Sequence, residues 1–231
     1  MNAIMNATNY FKTRLPADPR RETLWKALND YYFSGIIQPS ACVLELGAGY
    51  GHFINNVRAR RRIAVDIWEG LPSYLEPEIE WRVGSVEDLS FLADSSVDFV
   101  FASNLFEHVT QAVFSSVLRQ LKTKLAPGGM LTILQPNYLF AYREYFDDYT
   151  HVTVYSHISL CDFLAANGFE VMNCQPRFMP LTVKSRLRVS PWLIRAYLHS
   201  PIKPLGKQML IRARVSPTGA AMATHSQIEN R

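Results

Sequence analysis

The 231-residue chain is 48% hydrophobic, enough to bury the core of one ordinary domain with a small appendage. No stretch reaches the roughly 18 uncharged apolar residues that a bilayer-spanning helix needs, and the polar, proline-broken residues 1–21 carry no signal-peptide pattern. The net charge of +4 is unevenly spread: residues 1–170 hold 14 Lys+Arg and 19 Asp+Glu, whereas residues 171–231 hold 10 Lys+Arg and a single acid, Glu229.

Asp18 followed by Pro19 reads as an N-cap with proline at the first helical position. Leu24, Trp25, Leu28, Tyr31 and Tyr32 then recur at helical spacing and predict an amphipathic helix from about Arg20 to Gly35. From there the chain alternates. Cys42–Gly47 is a short apolar run, hence a buried strand, and Gly51–Arg60 follows as a helix with Arg58–Arg62 as its solvated end. Strands are predicted at Arg62–Ile67, Trp81–Ser85 and Val97–Ser103. A long helix spans Phe106–Leu125 and stops at Pro127-Gly128-Gly129. A fifth strand covers Gly129–Gln135, a helix covers Ser156–Ala166 with Gly168 past its end, and Phe169–Cys174 and Gln208–Arg214 complete the set. Strands alternating with helices predict a mostly parallel sheet covered on both faces. Ligands in such sheets sit beyond the carboxyl ends of the strands, where the strand order reverses.

The odd count of three cysteines, Cys42, Cys161 and Cys174, without CxxC spacing predicts buried reduced thiols rather than a disulfide framework or a cysteine zinc site.

The strongest motif is VLELGAGYGHF, Val43–Phe53. A buried strand runs into Gly47-Ala48-Gly49-Tyr50-Gly51 and then a helix, whose first N–H groups are unpaired. The dinucleotide fingerprint GxGxxG needs glycine at position 52, which is His52. The pattern is instead ExGxGxG, with Glu45 inside the strand. A carboxylate there is awkward beside a pyrophosphate and suits a ligand carrying an amino group and a sulfonium. Asp66, one βαβ unit later, can accept hydrogen bonds from both ribose hydroxyls. GSVEDL, Gly84–Leu89, either frames an adenine, with Glu87 or Asp88 receiving its amino group, or is a helix start with early acids.

VLELGAGYG, VDIW, SVDFVFASNLFEHV and LKTKLAPGGMLTI resemble, in this order, the signature segments of class I S-adenosylmethionine (SAM) dependent methyltransferases, over roughly residues 40–135. The resemblance implies an α/β, Rossmann-like doubly wound sheet of seven strands with an antiparallel last strand. It implies SAM as cofactor, with Glu45 and the turn Gly47, Ala48, Gly49 and Gly51 at its amino acid end. Asp66 falls on the ribose, Ser85, Val86 and Glu87 beside the adenine, and Ser103 near the sulfonium.

Methyl transfer to a hydroxyl needs alignment of the acceptor and removal of a proton, for which histidine is the usual group. His108, in Asn104-Leu105-Phe106-Glu107-His108, follows strand four, and His151, in Phe146-Asp147-Asp148-Tyr149-Thr150-His151, follows strand five. Either is the candidate catalytic residue, and the two could converge on one acceptor. Ubiquinone-biosynthesis O-methyltransferases and small-RNA 2′-O-methyltransferases resemble the chain in an ExxEH segment that holds a divalent metal. The matching positions here are Asn104, Glu107 and His108, with His151 as a later partner. Asn104 replaces a glutamate and offers only a neutral oxygen to a hard cation, so the expectation is no metal. Residues 136–171 also resemble bacterial methyltransferases acting on sugar, polysaccharide or lipid-linked metabolites.

The expected layout is an N-terminal helical extension (1–38), a SAM-binding core (39–175), a basic cap and last strand (176–215) and a disordered tail (216–231). Pro191–His199 is predicted as a short helix carrying Trp192, Leu193, Arg195 and Tyr197. The basic stretch is either a substrate cap or a contact with a membrane surface, and nucleic acid is the weaker reading because no RNA-binding signature accompanies it. The expected acceptor is a small or lipid-linked metabolite, and the expected location the cytoplasm or inner membrane face. A nicotinamide-dependent oxidoreductase is the rival enzyme class, opposed by His52 and Glu45. A non-catalytic SAM-fold module docking through its basic segment is the rival outside enzymes.

Overall fold

The computed structural model describes residue 13, residues 17–181 and residues 190–217. The tail expected to be disordered lies outside these beyond residue 217, as do Lys184, Arg186 and Arg188 of the basic segment.

Helix α1 spans Pro19–Tyr31, and Asp18 caps it by accepting a hydrogen bond from the Arg20 N–H. The predicted extension to Gly35 is corrected to a 3₁₀ turn over Phe33–Gly35. Five residues past buried Leu28, a continued α-helix would turn Phe33 roughly 140° away from it. The tighter turn instead keeps Phe33 inside, edge-on to Phe53 and Phe101.

Strands β1 (Cys42–Leu46), β2 (Arg61–Asp66), β3 (Glu80–Val83), β4 (Val97–Ser103), β5 (Leu125–Pro136), β6 (Phe169–Pro180) and β7 (Gly206–Val215) form one sheet. Its order is β3-β2-β1-β4-β5-β7-β6. Neighbours are parallel except that β7 runs antiparallel to both β5 and β6. The expected doubly wound, seven-stranded architecture is therefore present. Strand order reverses between β1 and β4, which fixes the ligand crevice beyond their carboxyl ends.

The centre of the sheet is buried on both faces, whereas the edge strand β3 is largely exposed. β1 alternates Val43 toward one cluster and Leu44 and Leu46 toward the other. On one face α3 (Gln111–Lys124) and α5 (His157–Ala166) supply Phe114, Leu118, Leu121, Leu160 and Leu164. On the other, α1 supplies Leu28, and α2 (His52–Asn56) supplies Phe53 and Ile54.

Two helices are shorter than the sequence pattern predicts. α2 stops at Asn56 instead of Arg60, because the Asn55 and Asn56 side chains are engaged elsewhere: Asn55 donates to the Tyr74 carbonyl and Asn56 to Glu22. Arg61 and Arg62, expected at a solvated helix end, begin β2 and pair with Glu80 and Glu78. The predicted helix Phe106–Leu125 is a 3₁₀ turn, Phe106–His108, followed by α3, which Thr110 caps through the Val113 N–H. α4 (Tyr138–Ala141) opens the loop between β5 and α5, and α6 (Pro191–His199) lies between β6 and β7. Cys42 and Cys161 are buried and Cys174 is half-buried, all three as free thiols.

Candidate active site

The turn after β1 is made possible by its glycines. Gly47, Gly49 and Gly51 all have positive φ, at 69°, 55° and 67°. A Cβ on Gly51 would lie 2.5 Å from a Leu75 methyl, and one on Gly47 would lie 3.0 Å from a Leu105 methyl. The second contact brings the glycine turn against the segment that follows β4.

Glu45 and Asp66 lie beneath this turn, both buried. Glu45 accepts the Ile54 N–H at 3.1 Å, and Asp66 accepts the Gly49 and Trp68 N–H groups, each at 2.8 Å. Burial raises the carboxyl of each above its ordinary value, and the nearby charge of Asp66 raises Glu45 further. Two buried acids beside a glycine cradle favour a cationic ligand, whose charge would lower both carboxyls back toward their ordinary range. A diphosphate would do the opposite. The cradle and the donor set thus fit the amino and sulfonium groups of SAM.

The turn after β3 is tied to the same place, since the Gly84 N–H donates to the Asp66 carbonyl at 2.8 Å. Val86 is buried, while Ser85 and Glu87 are exposed, with Ser85 Oγ accepting the Glu87 N–H at 3.1 Å. No helix follows among these residues, so the helix-start alternative for Glu87 and Asp88 does not hold. Asp88 is engaged by Arg82 at 3.0 Å and by Ser90. Gln120, from α3, braces the turn from both sides, donating to the Glu87 carbonyl and accepting the Leu89 N–H. Nothing in the local sequence pattern marks that residue.

Ser103 ends β4, half-buried, and accepts a hydrogen bond from the Asn104 amide at 3.0 Å. Asn104 has a φ of 50°, a strained conformation that turns the chain sharply out of the sheet. Beyond it the structure brings the two sequence-predicted histidines together, with ring centroids 4.8 Å apart. The loop holding His151 is docked on the other segment, because the Val152 and Thr153 N–H groups donate to the Glu107 carbonyl.

Their protonation can be read from the partners. The Thr150 hydroxyl donates to Asp148 at 2.6 Å, so it must accept from His108 Nδ1 at 2.9 Å. His151 Nδ1 faces the Tyr145 carbonyl, which can only accept. Both rings therefore carry their proton on Nδ1 and present Nε2 as the basic nitrogen. Burial and the neighbouring His151 lower His108 to about 4. Burial would raise Asp148, but the two hydrogen bonds from Thr150 and the charges of His108 and His151 together outweigh it and lower its carboxyl below the ordinary value. Asp148 and Thr150 are site residues whose role the sequence does not show, although the Asp-x-Thr spacing is that of an Asx turn.

Glu107 completes the cluster. It is fully buried, and among the described residues neither carboxylate oxygen has a hydrogen-bond partner. Burial pushes it up to about 8. One ligand atom from each of Glu107, His108 and His151 lies within 4.8 Å of the others, so the three could hold a metal ion. Asn104 is exposed and its amide is directed at Ser103.

Comparison with known proteins agrees with this geometry. The profile of a family described as methyltransferase domain matches residues 19–173. The chain is 29% identical over 193 residues to a malonyl-[acyl-carrier protein] O-methyltransferase of Methylococcus capsulatus, covering 76% of this chain and 66% of that one. It is 29% identical over 112 residues to a ubiquinone biosynthesis O-methyltransferase of Xanthomonas campestris pv. campestris, covering 44% and 46%. The matches thus span about two thirds and about half the length of these relatives. Among solved structures, a SAM-dependent methyltransferase from Archaeoglobus fulgidus superposes with a TM-score of 0.63 at 20% identity, over 90% of this chain and 98% of that one. The chain belongs to the methyltransferase domain family, with the fold of the class I SAM-dependent enzymes.

Proposed function

We propose that the chain moves a methyl group from SAM to a hydroxyl oxygen of a small or lipid-linked metabolite, such as a sugar or polysaccharide precursor, in the cytoplasm or at the inner membrane face. The observation that carries this reading is the pair of histidines beside the glycine turn, each with Nε2 as its basic nitrogen. The two O-methyltransferases among the relatives support the choice of oxygen.

Bound SAM supplies a methyl on a sulfonium, whose leaving group is already good. The chain's own residues hold, orient and deprotonate. Glu45 and the Gly47–Gly51 turn would receive the amino acid end, Asp66 the ribose, Val86 with the Ser85–Glu87 turn the adenine, and Ser103 the region of the sulfonium. His151 accepts the hydroxyl proton of the acceptor on Nε2. His108, held at about 4, is a weak base at neutral pH and positions the acceptor instead. Its own orientation is fixed by Thr150 and Asp148.

Calorimetry with SAM and S-adenosylhomocysteine tests the donor half, and folded protein that binds neither would sink it. Labelled SAM incubated with extract identifies the acceptor. With that acceptor, His151→Ala should lower kcat by about 10²–10⁴-fold while SAM affinity stays the same. Full activity in both His151→Ala and His108→Ala would remove the general base from the mechanism.

A second reading has its own observation, the unpartnered buried carboxylate of Glu107 facing two histidines. Glu107, His108 and His151 would then hold a divalent cation that polarises the acceptor hydroxyl. Titration of chelator-treated protein with Mn²⁺ or Zn²⁺ alone should show one site, absent from Glu107→Gln. No heat in either protein leaves the histidine base as the sole reading.

A further inference from the structure

The surface beside residues 137–156, the loop between β5 and α5 that holds His151 and is termed the acceptor loop, has a character that catalysis does not require. α6 turns Ile194, Tyr197 and Leu198 inward, with Leu198 against the core cluster that includes α1. Its outward face carries Trp192, which is 72% exposed, flanked by Arg195 and His199. The turn that returns the chain to β7 adds Ile202, 74% exposed, and Leu205, 76% exposed. This turn and α6 are one unit, because Tyr197 donates to the Pro204 carbonyl and Lys203 donates to the Tyr197 and Leu198 carbonyls. Leu205 also has a φ of 58°. That conformation favours glycine or asparagine, so a leucine held there and aimed at water is doubly costly.

The acceptor loop continues the same surface. Lys207, two residues after Leu205, pairs with Glu144 of that loop, and the Asn137 N–H donates to the Lys207 carbonyl at 2.8 Å. Along the loop Tyr142, Phe146, Tyr149 and Val152 are all exposed. Val152 is the residue next to His151, so the apolar surface reaches the candidate catalytic pair.

Of the acids between these groups, Glu144 is paired with Lys207, Asp148 is half-buried and accepts from Thr150, and Asp147 is exposed, whereas three arginines carry charge without an ion pair. Arg143 lies over the Tyr142 ring, Arg177 over Phe140 at 3.8 Å and Arg195 over Tyr31. All three are exposed, and none is in an ion pair among the described residues. Aromatic rings hold these guanidinium groups in place while their N–H donors remain accessible to an anion.

We propose that α6, the 200–205 turn and the acceptor loop together dock on an anionic lipid bilayer. Large apolar side chains ringed by unpaired arginines match an interface of acyl chains below phosphate headgroups. The inference deepens the lipid-linked reading of the acceptor, since a docked enzyme would take its substrate from the bilayer without drawing it into water.

The full chain should sediment with vesicles of mixed phosphatidylcholine and phosphatidylglycerol, not with phosphatidylcholine alone, and salt should release it. Combining Trp192→Ser with Leu205→Ser should lower the bound fraction about tenfold or more, because each removes a buried apolar anchor. Absence of binding to anionic vesicles, or unchanged binding by the double variant, overturns the proposal. Binding of RNA without binding of vesicles would assign the basic face to nucleic acid and overturn it as well. SAM calorimetry on the same samples separates the two readings. Retained SAM binding shows that the variant is folded, whereas a wild-type chain that sediments but binds no SAM fails in its proposed function alone.

Discussion

A single carboxyl group, that of Glu107, makes stability depend on pH near neutrality. Raised from 4.5 to about 8 by burial, it keeps its proton in the fold where the unfolded chain has lost it. The native state therefore binds more protons than the unfolded state in that interval, and stability falls as pH rises through it. His108, lowered from 6.5 to about 4, acts in the opposite sense, with stability rising between those values. The two oppose each other below about pH 6.5, and Glu107 acts without that opposition above it. In chelator-treated protein, stability should drop between pH 6.5 and 8 by about 2 kcal/mol more in the wild type than in Glu107→Gln. Denaturant melts at both pH values measure this, and equal slopes would show that the carboxyl is not protonated in the fold. Asp66→Ala should weaken SAM binding by about 1–3 kcal/mol through loss of a charged acceptor. At this scale the positions of Glu45, Asp66 and Ser103 were legible because they lie within or at the ends of strands, where the alternation of elements places them. Thr150 and Gln120 were not, because each acts across a contact between distant segments, and Asp148 acts through Thr150. Thr150 reaches His108 over 42 residues, and Gln120 reaches Glu87 over 33.

Elements follow the same division. β4 and α6 have the bounds that the sequence predicts, since turn residues flank the apolar or amphipathic run at each end. The helix expected from Phe106 fails because its apolar spacing runs unbroken through a cap. Only the bonding of Thr110 and the docking of the 150–153 loop show that residues 106–108 belong to the site and not to α3. Ser156 and Ser159 form a reciprocal capping box at the start of α5. Ser156→Ala should cost about 1 kcal/mol in chemical denaturation. Gly51→Ala should be worse than its size suggests. The positive φ and the 2.5 Å approach to Leu75 both oppose a methyl group. The expected result is a loss of more than about 1 kcal/mol in stability together with weaker SAM binding, read by thermal melts with and without ligand.

At the scale of the whole molecule, one sheet carries two regions of different chemistry. The crevice proposed for SAM lies at the reversal between β1 and β4, and the surface proposed for the acceptor lies on the connections that follow β4, β5 and β6. The strand alternation made the place of the first legible. The second depends on insertions between strands, whose packing no periodicity encodes.

The position of β7 has a consequence for how the chain is made. Residues 206–215 pair on one side with β5, whose strand is complete at Pro136, and on the other with β6, complete at Pro180. A ribosome that has released everything up to the cap has therefore delivered β6 with no strand to hold it to the sheet. The outer edge of β5 stays open, with its N–H and C=O groups free to pair with another nascent chain. Closure waits for β7, so this edge is exposed to mispairing for as long as residues 137–205 take to be made.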